Sequence, residues 1–313
     1  MKKLSVILGA VLCLLALGGC AGKFSGDETF VKNADRAYEL SSLIVEDYWE
    51  SVSEVLTYNI PRDPEQQDIA FAWPYMQTLS MCHRLLSLGG DTDDVRQTYG
   101  QLLDGLEYYR GMRFDYLAYC SVRGYDVGTA AGDFFYDDNL WVALELLNAY
   151  ELLGDDEYLE KAESVAEFVR SGWDEDIGGI YWQENEKFTR NTCSNAPSVV
   201  LFVRLYGHTE KEEYLQFARD IYSFVYNNLR DTDNTMWDSI AVERDSDGNK
   251  SNGAINTTKW SYNTGMMISA AVHLYDATAE ERYLNQAKRF AQAGFETFAT
   301  QTSAGVYEFT DVP

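Results

Sequence analysis

YELLGDDEYLEKA at residues 150–162, YGHTEKEEYLQFA at 206–218 and YDATAEERYLNQA at 275–287 are one pattern written three times. Each copy has a tyrosine, a Tyr-Leu pair eight residues later, and then an alanine. The residues between are turn-like and the flanks carry apolar residues at helical spacing, so each copy predicts helix, short turn, helix. The spacing is uneven, 56 residues from Tyr158 to Tyr214 and 69 from Tyr214 to Tyr283, so the insertions fall in the other connections. Residues 171–183 hold Gly178-Gly179-Ile180-Tyr181-Trp182, and residues 231–259 hold Trp237 and the turn-rich stretch Asp245 to Gly253. Short turns at one end and long aromatic loops at the other describe an all-α chain of the α/α toroid type, with loops around a central cavity. Loops are where binding and catalysis concentrate. The Gly178 to Trp182 segment reads equally as a small hairpin that plugs the toroid and as a substrate-facing element.

Just ahead of the first copy, Tyr136, Asp137, Asp138 and Asn139 open an apolar run in which Leu140, Trp141, Leu144 and Leu147 recur at helical spacing. Asp and Asn favour helix starts, and acids there complement the helix dipole, so a capping role accounts for them locally. Two adjacent carboxylates are also the equipment of glycoside hydrolysis. Phe134, Phe135, Tyr136 and Trp141 surround them with aromatic surface suited to stacking on a sugar ring, although such surface is also ordinary core material.

The chain carries a net charge of −25, which argues strongly against nucleic acid as a partner, since no basic stripe interrupts the acidic background. With three histidines, no CxxC and no HExxH, neither a metal site nor an organic cofactor is expected. Lys2 and Lys3, an apolar stretch from Leu4 to Leu17, and Gly18-Gly19-Cys20 have the order of a sorting signal too short to span a bilayer. Leu17 to Cys20 resembles the lipobox of bacterial lipoproteins. That resemblance implies a signal peptide over residues 1–19, acylation at Cys20, a polar tether over 20–29, and a protein lipid-anchored at the cell envelope with no other membrane contact. The remaining cysteines, Cys82, Cys120 and Cys193, are odd in number. They read as buried thiols, with one bridge and one thiol left over as the alternative.

Tyr136-Asp137-Asp138-Asn139-x-Trp141, Ala149-Tyr150-Glu151-Leu152, Gly178 to Trp182, Asn195-Ala196-Pro197 and Tyr262-Asn263-x-Gly265, in that order, resemble glycoside hydrolase family 76. The resemblance runs from about Trp73 to about Phe298 and implies an (α/α)6 toroid that cleaves α-1,6-mannosidic bonds within mannan with retention. It also implies that Asp137 is the nucleophile and Asp138 the general acid/base. Neighbouring residues, whose Cα atoms lie about 3.8 Å apart, can hold their carboxyls at the roughly 5 Å that a covalent glycosyl intermediate requires. Trp73, Tyr136, Trp182 and Tyr262 are the candidates for stacking on mannose rings. Asn139, Asn195 and Asn263 are the candidates for bonding hydroxyls, and each of the seven could instead be structural. The partner so implied is α-mannan or a mannooligosaccharide.

The folded part is read as one domain over residues 30–313. About nine helical segments are legible, the last from Arg282 to Phe298, followed by an extended stretch from Gly305 to Phe309. Twelve helices complete such a toroid, so the sequence is read as C-terminally truncated, or as an open ring covered by a partner or another copy. Two further readings stay open: a glycan-binding lipoprotein that has lost turnover, and a toroid acting on another sugar, as unsaturated glucuronyl hydrolases and sugar epimerases do.

Overall fold

The computed structural model describes residues 23–50, 54–59, 68–89 and 92–312. The expected signal peptide and the acylation at Cys20 lie outside these residues. Among the described residues there are nine α-helices: α1 Glu28–Tyr48, α2 Ala72–Ser87, α3 Asp93–Leu106, α4 Tyr136–Leu153, α5 Asp156–Arg170, α6 Thr192–Thr209, α7 Glu212–Asn228, α8 Ser261–Thr278 and α9 Glu281–Phe298. The strands are short and antiparallel. β1 (Trp49–Glu50) pairs with β2 (Val55–Leu56), and β3 (Arg110–Arg113) pairs with β4 (Tyr116–Tyr119). β5 (Thr189–Asn191), β6 (Ser239–Arg244) and β7 (Lys250–Asn256) form one sheet, while β8 (Ala299–Gln301) pairs with β9 (Tyr307–Phe309). No described helix is long and apolar enough to cross a membrane.

The contacts gather into two compact units, Met1–Asp68 with Thr78–Leu103, and Ile69–Gln77 with Asp104–Pro313. In the first unit, Asp27 caps α1 by accepting hydrogen bonds from the amides of Thr29 and Phe30, each 3.0 Å. Lys23 pairs with Asp94 at 3.3 Å and Phe24 is buried. Residues from Lys23 onward, expected as part of a polar tether, therefore pack onto this unit, because Phe24 supplies an apolar anchor.

The second unit contains the three repeats. α4 packs on α5, α6 on α7, and α8 on α9, while α6 also contacts both α4 and α8. The first helix of each pair ends in a left-handed residue, Gly154 (φ 71°), Glu210 (58°) and Ala279 (56°). Their amides return to the carbonyls of Tyr150, Tyr206 and Tyr275 at 2.8, 2.8 and 2.7 Å. The repeated tyrosine thus marks the last closed turn before the chain reverses. The repeated alanine, Ala162, Ala218 or Ala287, is buried on the second helix.

Burial distinguishes the two helices of the first two pairs, whereas α8 and α9 bury six residues each. In α4, Leu140, Val142, Ala143, Leu144, Leu146 and Leu147 are all buried, as befits a helix apolar on every side. In α9 a single stripe that includes Tyr283, Ala287, Phe290 and Phe298 is buried. α4, α6 and α8 are the inner helices of the unit, and α5, α7 and α9 cover them.

The inner helices start without the aid of a capping side chain. Phe135, Asn191 and Trp260 occupy the N-cap positions and make no side-chain cap bond, whereas Asp155 caps α5. Backbone carbonyls from later in the chain take over. Tyr136 N–H donates to Trp182 O (2.9 Å), Thr192 N–H to Asp238 O (2.8 Å), and Ser261 N–H to Asp311 O (2.8 Å). Ala72 N–H, at the start of α2, donates to Ser121 O in the same way (2.9 Å). At four helix N-termini the first N–H is taken up by a later connection.

The Gly178 to Trp182 segment is held by fixed chemistry. Gly179 has φ 86°, and a Cβ there would stand 2.4 Å from the ring of Phe224, so both backbone and space require glycine. Buried Arg190 donates to the carbonyls of Ile177 (3.2 Å) and Gly178 (2.8 Å) and to Asn252 Oδ1 (2.7 Å). Ile180 and Tyr181 are buried and Trp182 emerges at 40% exposure, so the segment is a plug whose last residue leaves the core.

Ala279 holds a conformation that glycine adopts more readily. Ala279→Gly is expected to stabilise the protein by about 0.5–1 kcal/mol, read as a higher urea midpoint at unchanged slope.

Candidate active site

Counting from the first residue of each helix, the second positions of α2, α4, α6 and α8 are Trp73, Asp137, Cys193 and Tyr262. All four line one cavity of about 470 Å³ within the second unit, a size suited to a small ligand. One turn further along, Gln77, Trp141 and Met266 line it as well. Residues four apart lie on one helix face, so these pairs show that the helices point their N-terminal ends at a common space. Asp138, Trp260 and Asp311 complete the wall. Ser261 holds Asp311 there, its hydroxyl donating to Oδ1 at 3.0 Å.

The two acids have unequal surroundings. Asp137 Oδ2 accepts from the indole N–H of Trp182 (2.9 Å) and the thiol of Cys193 (3.4 Å). Its Oδ1 accepts from the backbone N–H of Asp138 (3.0 Å). Burial raises the Asp137 carboxyl above its ordinary range, and these bonds draw it only part of the way back. Among the described residues Asp138 has no such bonds to lower it. Burial first, and the charge of Asp137 second, push it up to about 8. Both carboxyls are raised, the hydrogen bonds that favour a charged form fall on Asp137, and Asp138 is left to hold a proton at neutral pH. One donor-rich carboxylate beside one protonated acid is the division of labour needed for attack on a carbon and protonation of its leaving group. Among the described residues no cluster of His, Cys, Asp and Glu could hold a metal ion.

The family model described as "Glycosyl hydrolase family 76" matches residues 70–310. The chain belongs to glycosyl hydrolase family 76. A family 76 glycoside hydrolase (mannosidase) of Bacteroides thetaiotaomicron superposes with a TM-score of 0.77 and 25% identity, covering 88% of this chain and 76% of that one. An inactive variant of an α-1,6-mannanase of Salegentibacter, with two consecutive aspartates changed to asparagine and α-1,6-mannotriose bound, superposes with a TM-score of 0.69. It is 26% identical, and the match covers 88% of this chain and 73% of that one. A mannan endo-1,6-alpha-mannosidase of Candida albicans is 30% identical over 139 residues, or 41% of this chain. That match takes in 29% of the relative's own length. The fold class expected from the sequence stands: all-α, of the α/α-toroid type shared by its family 76 neighbours.

Within this family 76 site, Trp73 and Tyr262 face the cavity at 54% and 43% exposure, and the other expected binding residues are placed differently. Tyr136 is a correction. Its ring is fully buried, stacks on Phe168 at 5.0 Å, and lies 2.7 Å from where a Cβ of Gly172 would stand, so it is core. Trp182 meets the site through its N–H to Asp137, and its ring packs on Phe135 at 4.9 Å.

Asn139 and Asn195, expected to bond hydroxyls, are also corrections. Each is the fourth residue of its helix and fully buried, and each amide pairs with both backbone groups of one residue in a connection. Asn139 accepts from Tyr119 N–H (2.6 Å) and donates to Tyr119 O (2.9 Å) and Phe135 O (2.8 Å). Asn195 accepts from Ile180 N–H (2.7 Å) and donates to Ile180 O and Asn191 O, each 2.8 Å. With these partners engaged, neither amide is open to a ligand. In α8 the fourth residue is Thr264, whose hydroxyl accepts from Met236 N–H at 3.1 Å. Asn263 is fully buried beside Tyr262, and its amide has no hydrogen-bond partner among the described residues.

Cys193, Gln77, Trp260, Met266 and Asp311 had not been singled out as site residues. Aligning the helix starts brings out Cys193, since it shares its position with Asp137, Trp73 and Tyr262. Cys120 and Cys193 are free thiols, and Cys82 is buried.

Asn195→Ala would strand the buried N–H and C=O of Ile180. It is expected to cost about 3 kcal/mol in chemical denaturation, against under about 1 kcal/mol for Asn263→Ala.

Proposed function

We propose that the protein is a retaining glycoside hydrolase that cleaves α-1,6-mannosidic bonds within mannan. The carrying observation is the adjacent Asp137 and Asp138, one bonded by three donors and the other pushed up to about 8, in one cavity at converging helix N-termini. Family membership, the name of the Candida albicans relative and the bound mannotriose of the Salegentibacter mannanase support the substrate class. That mannanase variant is inactive with two consecutive aspartates replaced. Asp137 and Asp138 are consecutive aspartates that both line the cavity.

In this reading Asp138 gives its proton to the glycosidic oxygen while an Asp137 oxygen bonds to the anomeric carbon, forming a mannosyl ester and freeing the leaving sugar. Asp138, now ionised, takes a proton from water as the water oxygen displaces Asp137 from the same carbon. The second inversion restores the original configuration. Trp73 and Tyr262 offer exposed rings for stacking on mannose, and Trp182 orients the nucleophile. The Leu17-Gly18-Gly19-Cys20 order supports placing the protein at the cell envelope through a lipid on Cys20. A Cys20→Ala chain that still fractionates with membranes would refute that placement.

New reducing ends are expected from unbranched α-1,6-mannan, with a loss of at least about a thousandfold in Asp137→Asn and in Asp138→Asn. On α-mannosyl fluoride, whose leaving group needs no acid, Asp138→Asn is expected to keep the first step and Asp137→Asn to lose it. The value of kcat/KM should fall as pH rises through about 8, where Asp138 loses its proton, and fall in acid as Asp137 gains one. A folded wild-type protein that releases no reducing ends from this mannan would overturn the proposal.

A further inference from the structure

Four elements bring groups to Asp137. Asp138 shares its helix, Cys193 comes from α6, Tyr262 from α8, and Trp182 from the plug segment. Asp238, ahead of β6, adds a charge that acts on Cys193 and Tyr262, and Asp311 lies in the same wall. Among these, the thiol of Cys193 has a defined hydrogen-bond direction. Burial, then the negative charge of Asp137, hold it well above the usual thiol range, so it remains S–H and donates to Asp137 Oδ2 at 3.4 Å. The Tyr262 hydroxyl, itself kept protonated by burial and by its charged neighbours, lines the same cavity. The thiol hydrogen thus reaches the same Asp137 oxygen that receives the Trp182 N–H.

We propose that Cys193 is the positioning residue that fixes Asp137 Oδ2 and, by donating to it, favours the charged form of that carboxyl. The backbone reason is the shared second position: Cys193 stands on α6 where Asp137 stands on α4, so two neighbouring inner helices present these side chains to one cavity. A thiol is also a weak donor. It orders the carboxylate while withdrawing little of the negative charge that must attack, and its bond is readily given up as that charge disappears into the ester. A hydroxyl at the same place would hold the charge more firmly. The mechanistic part of this inference rests on the reading of Asp137 as nucleophile, whereas the effect on its ionisation does not.

The test is therefore read first without turnover. The full chain is labelled with ¹³C at the aspartate side-chain carboxyl, the Asp137 signal is assigned by its loss in Asp137→Asn, and it is titrated in wild type, Cys193→Ala and Cys193→Ser. Removing the thiol in Cys193→Ala is expected to move the Asp137 midpoint up by about one pH unit, and Cys193→Ser to return it to the wild-type value or below. Thermal midpoints of both variants establish that they are folded. An Asp137 midpoint unmoved in Cys193→Ala, or moved equally in the alanine and serine variants, would overturn the proposal. The acid limb of kcat/KM on α-1,6-mannan is expected to shift with the NMR midpoint, lowering activity in Cys193→Ala up to about tenfold below the limb with little change above it. Should the wild type prove inactive on mannan, the substrate assignment fails while the carboxyl titration still decides the role of Cys193.

Discussion

The structure of the second unit depends on a backbone hydrogen bond repeated four times. The first amide of a helix donates to a carbonyl in a later connection, from Ala72 of α2 and from Tyr136, Thr192 and Ser261 of the inner helices to Ser121, Trp182, Asp238 and Asp311. A helix N-terminus leaves unsatisfied donors and a partial positive charge, and most helices answer them with a side chain. Here the main chain answers, and each bond ties a connection across the end of an earlier helix. The cavity lies at these ends because the tied connections and the first turns of the helices meet there.

The fourth residues of the helices extend the same device inward. Asn139 and Asn195 each embrace the N–H and C=O of one connection residue, as a paired strand would, and Thr264 does half of this for Met236. Second positions then face the cavity and fourth positions face the scaffold. This geometric division explains why Asp137 works in the site while Asn139, two residues away, belongs to the frame. It also explains the contrast between the two acids, since donors from α6 and the plug reach Asp137 and leave Asp138 to its burial.

The helical hairpins were legible because their signals are local. A tyrosine one turn before a left-handed residue, and an alanine on the following helix, are set by neighbours along the chain. The acid pair was legible through adjacency and aromatic company. Burial of Tyr136 and engagement of the two asparagines were not, because their partners, Phe168, Tyr119 and Ile180, lie 15 to 32 residues away and no local pattern distinguishes a bonded amide from an open one. Cys193 was missed for a related reason: as one of three scattered cysteines it carries no signal, and it becomes visible once helix starts are aligned. The division into two compact units likewise depends on contacts that no stretch of sequence displays.

The glycine that lies against Phe224 and the carbonyls that hold the helix starts share one property: none depends on the identity of the side chains facing the cavity. Residues at the second and sixth positions can therefore be exchanged without disturbing the bonds that hold the frame. A scaffold of this kind separates inheritance from adaptation. Main-chain bonds hold the architecture, while a handful of helix-start residues line the cavity and can be redrawn to suit a different ligand.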